Sequence, residues 1–138
     1  MRFRFSVGAL LIVSIVSAGA FVMRGVEAAP ARQSAIVYLR QPTLIGSTIV
    51  QGPVIFIHDM AKMARGEPCT TVRLVEPPKG LAEEVASFHC IPTRRPVVDS
   101  FTIKTRPNMD LGFGCILTEF QFAGDQEAHG VPMTANAQ

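Results

Sequence analysis

From residue 35 onward the chain is a succession of short apolar, β-branched runs, each closed by Pro, Gly or polar residues. That rhythm constrains the fold more than any other feature of the sequence. Ala35–Leu39 reads AIVYL and Val54–His58 reads VIFIH, and Thr70–Val75, Glu84–Ile91, Val97–Thr105 and Phe113–Phe122 repeat the pattern. Thr43–Val50 carries Gly46 at its centre, which marks a bend or bulge, and Gln51-Gly52-Pro53 reads as a turn. Seven candidate strands at this spacing predict an all-β fold, a single small antiparallel β-sandwich or barrel. Only Asp59–Arg65 has a helical pattern, with Asp59 as cap, Met60, Met63 and Ala64 on one side, and Gly66 as terminator. One short helix after His58 makes no crossover, so βαβ units are excluded and the sheet is expected to be antiparallel.

The opening of the chain is different. Met1-Arg2-Phe3-Arg4-Phe5 is followed by no charge until Arg24, a basic n-region before an apolar stretch from about Val7 to Val22. Small-residue cleavage signals follow at Val26-Glu27-Ala28 and Ala29-Pro30-Ala31, with Ala18-Gly19-Ala20 as a third candidate. The pattern predicts a signal peptide over residues 1–31. The alternative is an uncleaved N-terminal membrane anchor, since Phe5 to Met23 is long enough to span a bilayer. Either reading makes the protein exported, periplasmic or extracellular, or anchored to the inner membrane with the domain outside. No cysteine near the apolar stretch offers a lipoprotein acylation site.

Beyond residue 31 the basic and acidic residues balance at ten each, so the formal charge of +2 belongs to the leader. The basic cluster is limited to Arg94-Arg95, with Lys104 and Arg106 further on. That argues against nucleic acid as a partner, and membrane contact is expected only if the leader is retained. About 107 residues remain, enough for one core. The division predicted is a β domain over 32–124 and a flexible C-terminal tail over 125–138, where no apolar period is visible.

Three cysteines lie outside the leader, Cys69, Cys90 and Cys115, and an oxidising compartment leaves one thiol over. If Thr70–Val75 and Glu84–Ile91 form a hairpin pairing Val75 with Glu84, then Arg73 faces Ala86, Thr71 faces Phe88 and Cys69 faces Cys90. Opposite residues in a ladder are close enough for a disulfide. A one-residue slip would send the sulfurs to opposite faces. A Cys69–Cys90 bridge would contribute about 3 kcal/mol by loop closure. Cys115 then remains as the free thiol, alternating with Phe113 and Leu117, and reads as a buried sulfur.

The residues with metal-ligand character are His58, Met60, Met63 and His89, whose imidazole and thioether donors suit copper. Strand alternation places His89 and Cys90 on opposite faces, and neither a zinc-finger spacing nor a Gly-x-Ser-x-Gly elbow occurs. No catalytic residue is assigned, and no cofactor is expected unless copper is bound.

The strings HDMAKMARGEPCT (His58–Thr70), SFHCIPTRR (Ser87–Arg95) and FQFAGDQEAHGVP (Phe120–Pro132) resemble a family of small exported bacterial proteins of acidobacterial type. The resemblance spans residues 40–132. It implies a shared domain whose pattern includes the positions of Cys69 and Cys90 but not that of Cys115, and it names no activity. The expected function is a non-catalytic exported binding or structural domain taking an unknown protein or small-molecule ligand. The alternatives are a copper-binding protein and a thiol-dependent activity at Cys115.

Overall fold

A computed structural model describes residues 31–76, 78 and 80–133. The leader reading at 1–31 therefore lies, but for its last residue, outside the described residues. The elements are β1 (Arg32–Ile45), β2 (Thr48–Asp59), α1 (Met60–Ala64), β3 (Thr70–Glu76), β4 (Gly80–Phe88), β5 (Ile91–Arg94), β6 (Thr102–Pro107), β7 (Cys115–Gln121) and β8 (Glu127–Gly130). The fold is all-β with one short helix, as the rhythm of apolar runs predicts. Among the described residues eight strands replace the expected seven: the first three runs form two strands, the run over 84–91 breaks after Phe88 into β4 and β5, and β8 is added. Among the described residues no helix is long and apolar enough to cross a membrane.

The first displaced break is at the start. Gly46 is a hairpin turn and not a bend within one strand, joining β1 to β2 through Gly46-Ser47. Its φ of 62° and the absence of positive φ at any described non-glycine residue fit a type II′ turn, whose twist matches the flanking strands. Conversely, Gln51-Gly52-Pro53 is no turn. It lies inside β2, opposite a bulge where Leu39 pairs with Gly52 and Thr43 with Val50. The extra residues of β1 absorb the irregularity, so the Gly-Pro pair bends the strand without ending it.

Strand order is β4-β3-β2-β1-β7-β8-β5, with β6 against β7. The pairs are antiparallel except β1 and β7, which run parallel at Thr43↔Cys115 and Leu44↔Ile116. The wholly antiparallel expectation fails at this seam for a topological reason. A parallel pair needs a long connection but not a helical one, and here β2 to β6 supply it.

The sheet is strongly curled. β2 and β8 stand three places apart in the order, which in a flat sheet is about 14 Å. Yet the rings of His58 on β2 and His129 on β8 are 4.4 Å apart. The same curl brings Phe56, Phe101, Phe120 and Phe122 together, with Phe56 and Phe120 centroids at 5.1 Å. Around them pack Leu39, Val54, Val72, Phe88, Leu117 and Val131. The opposite edges β4 and β5 are joined by His89 and Cys90 alone, so they must approach each other at that end.

Residues 125–133 are not a flexible tail. β8 pairs with β5 and β7, Ala128 and His129 are buried, and Val131 N–H donates to Thr118 O at 2.9 Å. Two consecutive buried residues erase the alternation that marks a strand in sequence.

Candidate metal centre

His58 reaches the interior by strand alternation, third in the inward series Val54, Phe56, His58 on β2. It pairs with Gln33 of β1 and Thr70 of β3. One residue before Thr70, Cys69 sits against the end of β2, its carbonyl accepting from Asp59 N–H at 2.9 Å. Asp59 also caps α1, its carboxylate accepting from Ala61 N–H at 2.9 Å and Lys62 N–H at 3.2 Å. The cap turns the chain sharply after His58, and the Cys69 segment returns beside it.

The β3–β4 register differs from the one that would set Cys69 opposite Cys90. Thr70 pairs with Phe88, Thr71 with Ser87 and Val72 with Ala86, one residue out of the expected alignment, and irregularities follow near Arg73. The sulfurs meet nonetheless, because β4 ends at Phe88 and Cys90 lies beyond the ladder, where strand alternation no longer governs its direction. Cys69 Sγ and Cys90 Sγ are 3.2 Å apart and both cysteines are free thiols. Cys90 N–H donates to Cys69 Sγ at 3.4 Å, and Cys90 Sγ is 3.6 Å from His58 Nε2. The three donor atoms lie within 4.8 Å of one another.

A second imidazole lies beside His58, outside that group of three. His129, opposite Phe120 in the β7–β8 ladder, stacks on that ring at 5.0 Å and lies beside His58. His129 is only 1% exposed, and neither of its ring nitrogens has a hydrogen-bond partner among the described residues. Its Nδ1 is 3.9 Å from Glu127 Oε1, too far for a hydrogen bond. His58 Nδ1 is unpartnered as well. An unsatisfied buried polar atom costs about 1–3 kcal/mol, so these nitrogens need an explanation.

Burial governs the protonation of the group. It lowers His129 to about 4, with His58 adding to the effect, and it lowers His58 while Glu127, Asp125 and Asp59 pull the other way. Both imidazoles are thus neutral donors near neutral pH. Burial and the adjacent Cys69 push the Cys90 thiol up to about 12. A cavity of about 480 Å³ adjoins the two imidazoles, lined among others by Gln33, Met60, Asp125 and Glu127.

The set named from sequence is not the set the fold brings together. His58 is in the group and Met60 lines the adjoining cavity, whereas His89 is exposed and outside the group, and Met63 is exposed. From sequence, Cys90 is set aside as a ligand because alternation parts it from His89, Cys69 and Cys90 are assigned to a disulfide, and His129 is not singled out. The signal available was His58 on the inward phase of VIFIH, with both cysteines next to strand ends. Cys115 is elsewhere, buried at the β1–β7 seam with its sulfur 3.3 Å from Thr43 Oγ1. Within the basic cluster, Arg95 and Lys104 are paired with Glu119 at 2.8 and 2.6 Å.

Comparison with protein-family models, curated proteins and solved structures gives no match to this chain.

Proposed function

We propose that this protein is an exported, non-catalytic domain that binds one soft transition-metal ion, Zn(II) or Cu(I), through Cys69, Cys90 and His58. The observation that carries this reading is the convergence of three donor atoms within 4.8 Å from segments distant in sequence. Thiolate and imidazole donors select Zn(II) and Cu(I) over hard oxygen-seeking ions. Two of the three donor spacings come close to those of a tetrahedral ion. A tetrahedral ion with ordinary zinc bond lengths separates its nitrogen and sulfur donors by about 3.5 Å and two sulfurs by about 3.8 Å. His58 Nε2 and Cys90 Sγ are at 3.6 Å, and the sulfurs, at 3.2 Å, have only a small opening to make. A cation must displace the proton that burial helps Cys90 to hold, and binding through two thiolates releases two protons.

The test is a titration of the reduced protein with Zn(II) and, under anaerobic conditions, with Cu(I). One ion per chain and two protons released are expected, both lost in the double variant C69S/C90S. Reduced wild-type protein that takes up neither ion overturns the reading.

A further inference from the structure

We infer that His129 is a fourth ligand and that the ion is zinc, held in a closed Cys69–Cys90–His58–His129 tetrahedron that fastens the two ends of the curled sheet. The inference rests on the metal reading above and goes on to assign the ion, its fourth donor and its role. Packing alone does not account for an imidazole at position 129. The ring is stacked on Phe120 and edge-on to Phe122 at 5.9 Å, in an aromatic environment that a phenyl ring would suit without orphaned nitrogens. A coordinate bond satisfies one of those nitrogens outright. The imidazole is already beside the ligand ring, 4.4 Å from centroid to centroid, and both rings line the adjoining cavity.

Two thiolates and two imidazoles in a tetrahedron are a zinc donor set, and four protein ligands leave no open position for substrate, which is the mark of a structural site. A ligating histidine usually donates its other ring N–H to a carboxylate or carbonyl. Asp125, which accepts from Gln33 Nε2 at 2.7 Å, lines the cavity next to both rings. The four ligands come from β2, the approach to β3, the β4–β5 connection and β8. One ion would therefore tie the first strands of the molecule to the last. Zn(II) enters, two thiol protons leave, and both imidazoles bind as neutral lone-pair donors.

The experiment compares wild type with H129F, reduced, with and without zinc. Without metal, H129F should melt above wild type, because the orphaned nitrogens are gone. With zinc, wild type should rise in Tm and H129F should not. Its affinity should fall by more than the roughly 10–100-fold that changes behind the ligand shell cost. These opposite signs separate a ligand from a packing residue. Wild-type affinity in H129F overturns the inference and leaves the three-ligand reading standing; no uptake of Zn(II) or Cu(I) by wild type overturns both. A measurement free of any folding defect uses wild type carrying 15N-histidine and loaded with cadmium-113. Two imidazole nitrogens coupled to the metal are expected, and one alone excludes His129.

Discussion

Cys69 and Cys90 hold their sulfurs 3.2 Å apart beside the His58 ring, and that arrangement has two chemical outcomes. A soft cation takes both sulfurs as thiolates. A two-electron oxidant such as diamide takes two electrons and two protons and leaves a sulfur–sulfur bond, the bridge the compartment argument favours. The outcomes exclude each other, since a disulfide keeps no thiolate. Protein oxidised with diamide should then bind no zinc by elemental analysis, and zinc-loaded protein should resist oxidation until a chelator is added. Cys115 behaves differently. Its sulfur is buried against Thr43, so a thiol-specific label should modify it only after denaturant is added. Rapid labelling of Cys115 in the native protein would revive the thiol-activity reading.

Individual elements carry two further consequences. Gly114, just before β7, lies against Pro42 in the bulge of β1 and has a φ of 71°. A β-carbon there would overlap the Pro42 carbonyl oxygen. G114A should therefore cost about 1–3 kcal/mol, read from the denaturant midpoint, with strain and overlap both contributing. On the far side of β7, Glu119 accepts from Arg95 and Lys104, and these hydrogen bonds, Arg95 foremost, hold its carboxyl below the usual range. A depressed carboxylate contributes stability above its unfolded pKa of about 4.3, and that stability is lost as pH falls through the folded value. The denaturant midpoint should fall below about pH 4, and E119Q should flatten that slope while lowering stability near neutrality. Strand identity was legible because β-branched runs report burial directly. The Gly46 turn and the bend at 51–53 exchange roles because Gly in either place only signals a departure from regular φ. β8 escaped notice because His129 is polar and its burial depends on contacts from the other end of the chain.

For the whole molecule, the curl decides what the sequence can and cannot disclose. Alternation put His58 indoors, but nothing local to VIFIH reveals that β8 lies across from it, three strands away in the sheet order. The Cys69–Cys90 meeting was anticipated through a hairpin alignment that does not occur. The sulfurs come together because the ladder ends before Cys90 and the two edges of the sheet converge there. Candidate ligands therefore collect at the place where sheet order and spatial order disagree most. Removing the ion should lower the melting temperature of reduced protein by an amount that grows with free zinc, as mass action requires, measured by thermal scans across a chelator-buffered series.

The placement of the candidate ligands has a kinetic consequence. His58 and His129 are 71 residues apart in the chain, so a nest that includes both is complete only when β2 and β8 have packed together. A cation seated there acts as a latch on a door already shut. It prolongs the lifetime of the native molecule and leaves the speed of reaching it almost untouched.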